Sequence, residues 1–193
     1  WETIPREDLT YGARESWETL RNTGTALLEK FVLEEIPRLS AVTGVEEGFE
    51  LSISNLDLPF VGVIDLKASL GEKRTVVDFK TSSSVYKPHE VVMSDQLTAY
   101  HLAEPEAEQA AFCVLVKTKK PQIEWHTAKR TASHLTRFLS KAELIGGDIQ
   151  SRRFYTRPGK WCAWCDYLPV CIGNKKKVRE TLITVDPDTR RPT

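Results

Sequence analysis

No run of about 18 uncharged apolar residues occurs in the chain, so the sequence offers no transmembrane helix. The opening residues, Trp1 to Arg6, lack the apolar core of a secretory leader. Cysteine is sparse: 4 residues in 193 do not make the disulfide scaffold of small secreted domains. A cytoplasmic protein is the expectation. Internal repeats and low-complexity tracts are missing, and so is net charge, with 27 Lys and Arg balancing 27 Asp and Glu. What is present is a 40% share of hydrophobic residues, enough to bury a core. The length suits one domain, or one domain plus an appendage.

The neutrality averages two unlike halves. Residues 1–114 hold 10 Lys/Arg and 20 Asp/Glu, whereas residues 115–193 hold 17 and 7. A basic half suits an anionic partner; it equally suits packing against the acidic half.

Residues 14–39 read as a helix, with Leu20, Leu27, Phe31 and Ile36 near helical spacing and Pro37 closing the run. Gly44 to Gly48 reads as a turn. Phe49 to Ile53 alternates as a strand does, and Phe60 to Leu66 is a second, more apolar strand. A hairpin-like link at Gly71 to Arg74 leads to a third strand, Thr75 to Lys80. Glu90 to Ala103 reads as a helix, Ala110 to Val116 as a buried strand, and Ile123 to His126 as a candidate neighbour for it. Ala128 to Ile145 reads as a helix ended by Gly146-Gly147. The expected class is α/β, a mixed sheet flanked by helices in the order α-β-β-β-α-β. Residues 1–150 would form the core. Residues 151–177 would form a cysteine-rich appendage packed on it, and residues 178–193 a fraying tail.

Two carboxylates stand in unusual places. Asp65 ends an apolar strand, and Asp78 lies between Val77 and Phe79. Aspartate is depleted in strands, and burying a carboxylate without a partner is costly. Lys80, two residues on, shares the face of Asp78, while Phe79 points to the other face. On neighbouring strands Asp65 and Asp78 can converge on one cation. Mg²⁺ takes one or two carboxylates and fills its remaining positions with water and phosphate oxygens. The same spacing also fits a plain Asp78–Lys80 ion pair on a solvent-facing sheet, with Asp65 in a turn.

Three segments in order, Gly62-Val63-Ile64-Asp65, Asp78-Phe79-Lys80-Thr81 and Gln96-Leu97-Thr98-Ala99-Tyr100, resemble the PD-(D/E)XK nuclease superfamily. They look most like its RecB-like branch, which includes CRISPR-associated exonucleases. The resemblance spans about Gly24 to Cys171 and implies a restriction-endonuclease-like core. It implies a metal-dependent DNA nuclease, an exonuclease on single strands or ends, acting in recombination, repair or CRISPR-related processing. Asp65, Asp78 and the Phe79 carbonyl would hold Mg²⁺ or Mn²⁺, Lys80 would be the catalytic lysine, and Gln96 and Tyr100 would order the site and touch the substrate backbone. The branch commonly carries a histidine ligand on the first helix, where this chain has Leu28. That departure keeps an alternative open, a nuclease fold that has lost catalysis and binds nucleic acid or a protein partner.

Cys162, Cys165 and Cys171 form a second constellation, with metal-like spacing and Trp161, Trp164 and Tyr167 around it. In the resembled branch such a trio joins an upstream cysteine to hold a 4Fe–4S cluster. No cysteine precedes Cys113 here, and Cys113 sits in a buried-type strand. Zn²⁺ is the alternative metal. The tryptophans are expected to pack around the cysteines, with stacking on single-stranded bases the other possibility. Lys117, Lys119, Lys120, Lys129, Arg130, Arg137, Lys141, Arg152, Arg153, Arg157, Lys160 and Lys175 to Lys177 could form a track for phosphates. His89, His101, His126 and His134 show no ligand spacing.

Overall fold

The computed structural model describes residues 11–12, 15–118 and 120–183. The chain divides into two units, Trp1–Gln150 and Ser151–Thr193. The first unit is built on one five-stranded sheet. Its strands are β1 (Leu39–Leu51), β2 (Phe60–Leu70), β3 (Lys73–Ser82), β4 (Gln109–Val116) and β5 (Gln122–Ala128), lying side by side in sequence order. Every neighbouring pair is antiparallel except β3 and β4, which run parallel. A parallel return needs a crossover. α2 (Pro88–Val92) and α3 (Asp95–Ala103) supply it, while α1 (Trp17–Lys30) and α4 (Ala132–Gln150) stand at either end of the unit. The α/β class and the α-β-β-β-α-β order are those the sequence leads one to expect.

The two faces of the sheet bury different sets. Val76 of β3 joins Ile64, Val91, Leu97, Tyr100, Phe112 and Val114 beneath α2 and α3. Its neighbour Val77 joins Leu66, Ala111 and Cys113 on the opposite face, where Phe31, Phe79 and Trp125 pack. Successive strand residues should alternate faces in this way, and β4, covered on both sides, is buried along almost its whole length. β2 breaks the rule. Ile64 and Leu66 are two residues apart and yet belong to opposite clusters, so the strand turns over at Asp65.

Several boundaries differ from the sequence pattern, each for a local reason. The expected helix over 14–39 starts at a Ser16 cap, whose hydroxyl accepts from the Thr19 N–H at 3.2 Å, and it stops at Lys30. A π-helical turn, Phe31–Glu35, and a 3₁₀ turn, Ile36–Arg38, follow. The widened turn shifts the helical register and carries Glu35 inward. That carboxylate is buried and accepts from Trp125 Nε1 at 2.7 Å and Arg38 Nη1 at 2.6 Å. The turn expected at Gly44 to Gly48 is strand. A register shift between Ser40 and Gly44, with positive φ at Ala41 and Glu46, is absorbed inside β1 instead of ending it.

The helix expected over 90–103 is broken at Met93-Ser94. Ser94 Oγ restarts it by accepting from the Leu97 N–H at 3.1 Å. α4 runs through Gly146-Gly147 to Gln150, because Gly146 is a packing contact and not a cap. A Cβ there would lie 2.4 Å from Leu56 Cδ1.

The second unit is small. A 3₁₀ turn (Lys160–Trp164) precedes α5 (Leu168–Cys171) and α6 (Lys175–Thr181), the latter capped by Asn174 Oδ1 accepting from the Lys177 N–H at 3.0 Å. The expected fraying tail therefore begins as helix, and residues 184–193 lie outside the described residues.

The two adjacent glycines of α4 make a paired test. Alanine in place of a mid-helix glycine ordinarily gains about 0.5–1 kcal/mol. Gly147→Ala, whose new methyl meets nothing within 4 Å, is expected to show that gain in urea denaturation. Gly146→Ala is expected to show no gain or a net loss, because its methyl displaces Leu56.

Candidate active site

The motif residues meet where β2 and β3 part. Asp78, on β3, is 1% exposed. Its Oδ1 accepts from the Tyr100 hydroxyl at 3.2 Å, and its Oδ2 lies 2.7 Å from Lys80 Nζ. Lys80 Nζ also donates to Gln96 Oε1 at 2.9 Å, and Gln96 Nε2 donates to the Tyr100 hydroxyl at 3.1 Å. Asp78, Lys80, Gln96 and Tyr100 thus close a ring of polar contacts. One link comes from alternation on β3, one from i, i+4 spacing on α3, and two join the strand to the helix.

Asp65 enters from the neighbouring strand. The β2–β3 ladder ends at Leu66 opposite Val77, and one more step in that register would set Asp65 against Asp78. β3 continues its pairing with β4 to Ser82. At the parting, Asp65 Oδ2 accepts from the Phe79 N–H at 2.8 Å. Asp65 is therefore in a strand, not a turn, and its carboxylate satisfies a backbone donor that the diverging ladder would leave open. The Phe79 side chain points away, edge-on to Phe31 with ring centroids 5.5 Å apart.

Gly62 has a steric reason to be glycine. It pairs with Phe49 across β1, and a Cβ on it would lie 2.5 Å from the Phe49 ring. That ring stands edge-on to Tyr100 at 6.1 Å. The glycine therefore lets an aromatic ring lie over the strand and brace the tyrosine that holds Asp78. Phe49 escaped the sequence reading because only the β1–β2 register connects it to the site. Arg130 is a role corrected for the same kind of reason. The expected phosphate track included it on a helix, but it precedes α4, is 9% exposed, and donates to the Val91 and Val92 carbonyls at 2.9 and 3.1 Å. It anchors the α2–α3 junction just ahead of Gln96.

Burial sets the electrostatics. Loss of solvent raises the Asp78 carboxyl above its ordinary value; Lys80 partly offsets this, and the nearby Asp65 charge adds to it. Tyr100 is raised as well, first by burial and also by both carboxylates, so it remains a proton donor to Asp78. A site that ionises reluctantly and places two carboxylates together is one that a divalent cation would relieve.

The donor set fits a hard cation. Asp65 and Asp78 supply carboxylate oxygens, and Asp78 Oδ2 is buried with no aligned hydrogen-bond donor, its contact with Lys80 being an ion pair. Mg²⁺ or Mn²⁺ accepts such a pair with water completing the shell. Among the described residues, no group of three or more His, Cys, Asp or Glu is placed to hold a metal. Leu28 is half exposed on α1 beside Val32 and Leu33. The cysteines are not gathered either. Cys162 and Cys165 line one cavity of about 270 Å³ that Cys171 does not line. Cys113 is fully buried in the sheet, where burial pushes its thiol up to about 12.

The aromatics of the second unit do not pack around the cysteines as expected. Trp161 and Trp164 are 70% and 73% exposed, with ring centroids 6.0 Å apart. Of the other expected phosphate contacts, Lys141 is ion-paired with Asp95, and Lys119 lies outside the described residues.

The raised Asp78 carboxyl yields a signed prediction. The folded chain holds this proton to higher pH than the unfolded chain, so the contribution is fully present below the ordinary carboxylate range. It is lost as pH rises through the raised value. Asp78→Asn keeps an acceptor for Tyr100 and removes the buried charge. In metal-free buffer it is expected to melt about 2–4 °C above the parent near neutral pH, the shift on the order of 1 kcal/mol gives at this chain length. Thermal melts across pH are expected to show the difference shrinking as pH falls through the raised value and vanishing below about pH 4.

No curated protein matches the chain. Solved structures share its fold, two of them as follows. A "Putative exonuclease" from Eubacterium rectale superposes with a TM-score of 0.54 at 12% identity, covering 86% of this chain and 64% of that one. SSO0001 superposes with a TM-score of 0.50 at 15% identity, covering 82% and 72%. This chain thus spans just under two thirds of the Eubacterium rectale protein. Among the described residues, no helix is long and apolar enough to cross a membrane. The PD-(D/E)XK nuclease superfamily model matches residues 2–172, nearly the whole chain, and the chain belongs to that superfamily.

Proposed function

We propose that the chain is a metal-dependent deoxyribonuclease, an exonuclease of the RecB-like kind, with its active site at the parting of β2 and β3. The observation that carries this is the closed ring around a buried Asp78, with Asp65 one register step away. A sheet does not need a buried aspartate for stability, and burying a carboxylate is costly. Asp65 and Asp78 would hold Mg²⁺ or Mn²⁺, which supplies charge neutralisation and acidifies a bound water.

The remaining work falls to the chain's own groups. Lys80 is anchored at both Asp78 and Gln96, so its ammonium is held beside the buried carboxylate and can orient a water and balance charge growing on the phosphate. Gln96 and Tyr100 fix that lysine and Asp78 in place. The water oxygen bonds to phosphorus, and the ester oxygen leaves with a proton. A binding module without catalysis is the second reading, and Leu28 at the histidine position favours it.

Cleavage of end-labelled single- and double-stranded DNA with Mn²⁺ separates the two. Asp78→Ala and Lys80→Ala are each expected to lose at least about 100-fold in rate, the scale of a removed charge-stabilising group. Salt-dependent DNA binding without cleavage by the parent would leave the module reading standing. Calorimetry is expected to detect Mn²⁺ binding to the parent and none to Asp78→Ala.

Iron–sulfur or zinc binding by Cys162, Cys165 and Cys171 is a separate proposal that rests on their spacing. Metal analysis of the chain purified under reducing, anaerobic conditions tests it: stoichiometric iron or zinc supports it, and neither metal overturns it.

A further inference from the structure

A cleft of about 400 Å³ opens beside the polar ring, between the β1–β2 loop and α4. Its walls are almost wholly apolar: Ile53, Leu56, Phe60, Phe138, Ala142 and Ile145. Phe60 and Phe138 stand edge-on at 5.4 Å, giving one side an aromatic wall. The polar groups are few. Asp95 and Lys141 are paired at the rim, and Gln96 closes the end nearest the ring.

Gln96 is the wall common to cleft and ring. Its Oε1 accepts from Lys80 and its Nε2 donates to Tyr100. One lone pair and one N–H remain for a ligand. A molecule seated in the cleft therefore lies next to the lysine and the carboxylates.

The occupant must join a flat apolar body to a group that the ring can hold. A nucleotide does so, linking an aromatic base to a phosphodiester through one sugar. A few polar groups around an apolar space of this volume are what such a ligand needs. A base in the cleft has left its stack and its partner, which costs least in a single strand or at an end.

We propose that this cleft takes an unpaired nucleobase adjoining the phosphodiester held at Asp65, Asp78 and Lys80, and so selects single strands and strand ends. The proposal rests on the nuclease reading above. Leu56 and Gly146 shape the floor, and Phe60, Phe138 and Ile145 contact the base.

Binding of an oligonucleotide containing 2-aminopurine, measured in EDTA so that nothing is cleaved, tests the cleft apart from the chemistry. Ala142→Trp fills it. Ile145→Glu, at a half-exposed position that leaves the core intact, sets a carboxylate in its mouth. The parent is expected to change the 2-aminopurine emission of a single strand. Both variants are expected to abolish that change and bind the single strand about tenfold more weakly, the scale of one lost base contact. Duplex affinity is expected to move less than twofold.

Equal weakening of single strand and duplex, or no weakening in either variant, would overturn the cleft. Cleavage in Mn²⁺ that both variants retain at the parent's single-strand preference would also overturn it while leaving the nuclease intact. Base-sensitive binding without any cleavage would support the cleft and sink the nuclease.

Discussion

A carboxylate held in the interior of a sheet is the constraint on which the rest of the site depends. Asp78 cannot be solvated where it stands, so its surroundings must supply what water would. Lys80 supplies charge, Tyr100 a hydroxyl, and Gln96 ties the two together. Each of these groups is fixed by ordinary secondary structure, two by strand alternation and two by the helix repeat. The chain therefore brings four polar side chains to one point without an irregular loop. The irregularity lies in β2, which turns over at Asp65 and lets the second carboxylate approach.

Parting strands leave backbone groups open, and the site uses this. The Phe79 N–H, which no β2 carbonyl meets, is taken by Asp65. A cation drawn to the carboxylates would work next to that anchored backbone. Gly62 and Phe49 form the outer brace, where a missing side chain on one strand admits a ring from the next and the ring backs Tyr100. Arg130 does similar service from behind, fixing the break between α2 and α3 so that Gln96 starts α3 in a set position. The apolar cleft begins on the far side of that same glutamine.

Much of the architecture was legible in the residues. Element order, the three motif segments and the shared face of Asp78 and Lys80 follow from periods of two and of about 3.6, which are local properties. Two of the misread boundaries share a cause. Gly146-Gly147 and Gly44 look like breakers, but glycine can also mark a close approach, and only the partner tells which. Leu56 against Gly146 and Phe49 against Gly62 are such partners, each far away in sequence.

By itself the sequence determined that this chain has an α/β core with two carboxylates, a lysine, a glutamine and a tyrosine at motif spacing, and a basic, cysteine-bearing second half. Tertiary structure alone decided that the β2–β3 register ends between the two aspartates, that Asp65 bonds to the Phe79 amide, and that Arg130 is an anchor and not a phosphate contact. It also decided that, among the described residues, no three His, Cys, Asp or Glu side chains stand together to hold a metal. The physical reason is range. Spacing along a chain fixes which face a side chain takes, whereas what stands opposite that face is set by strand register and packing between residues tens of positions apart.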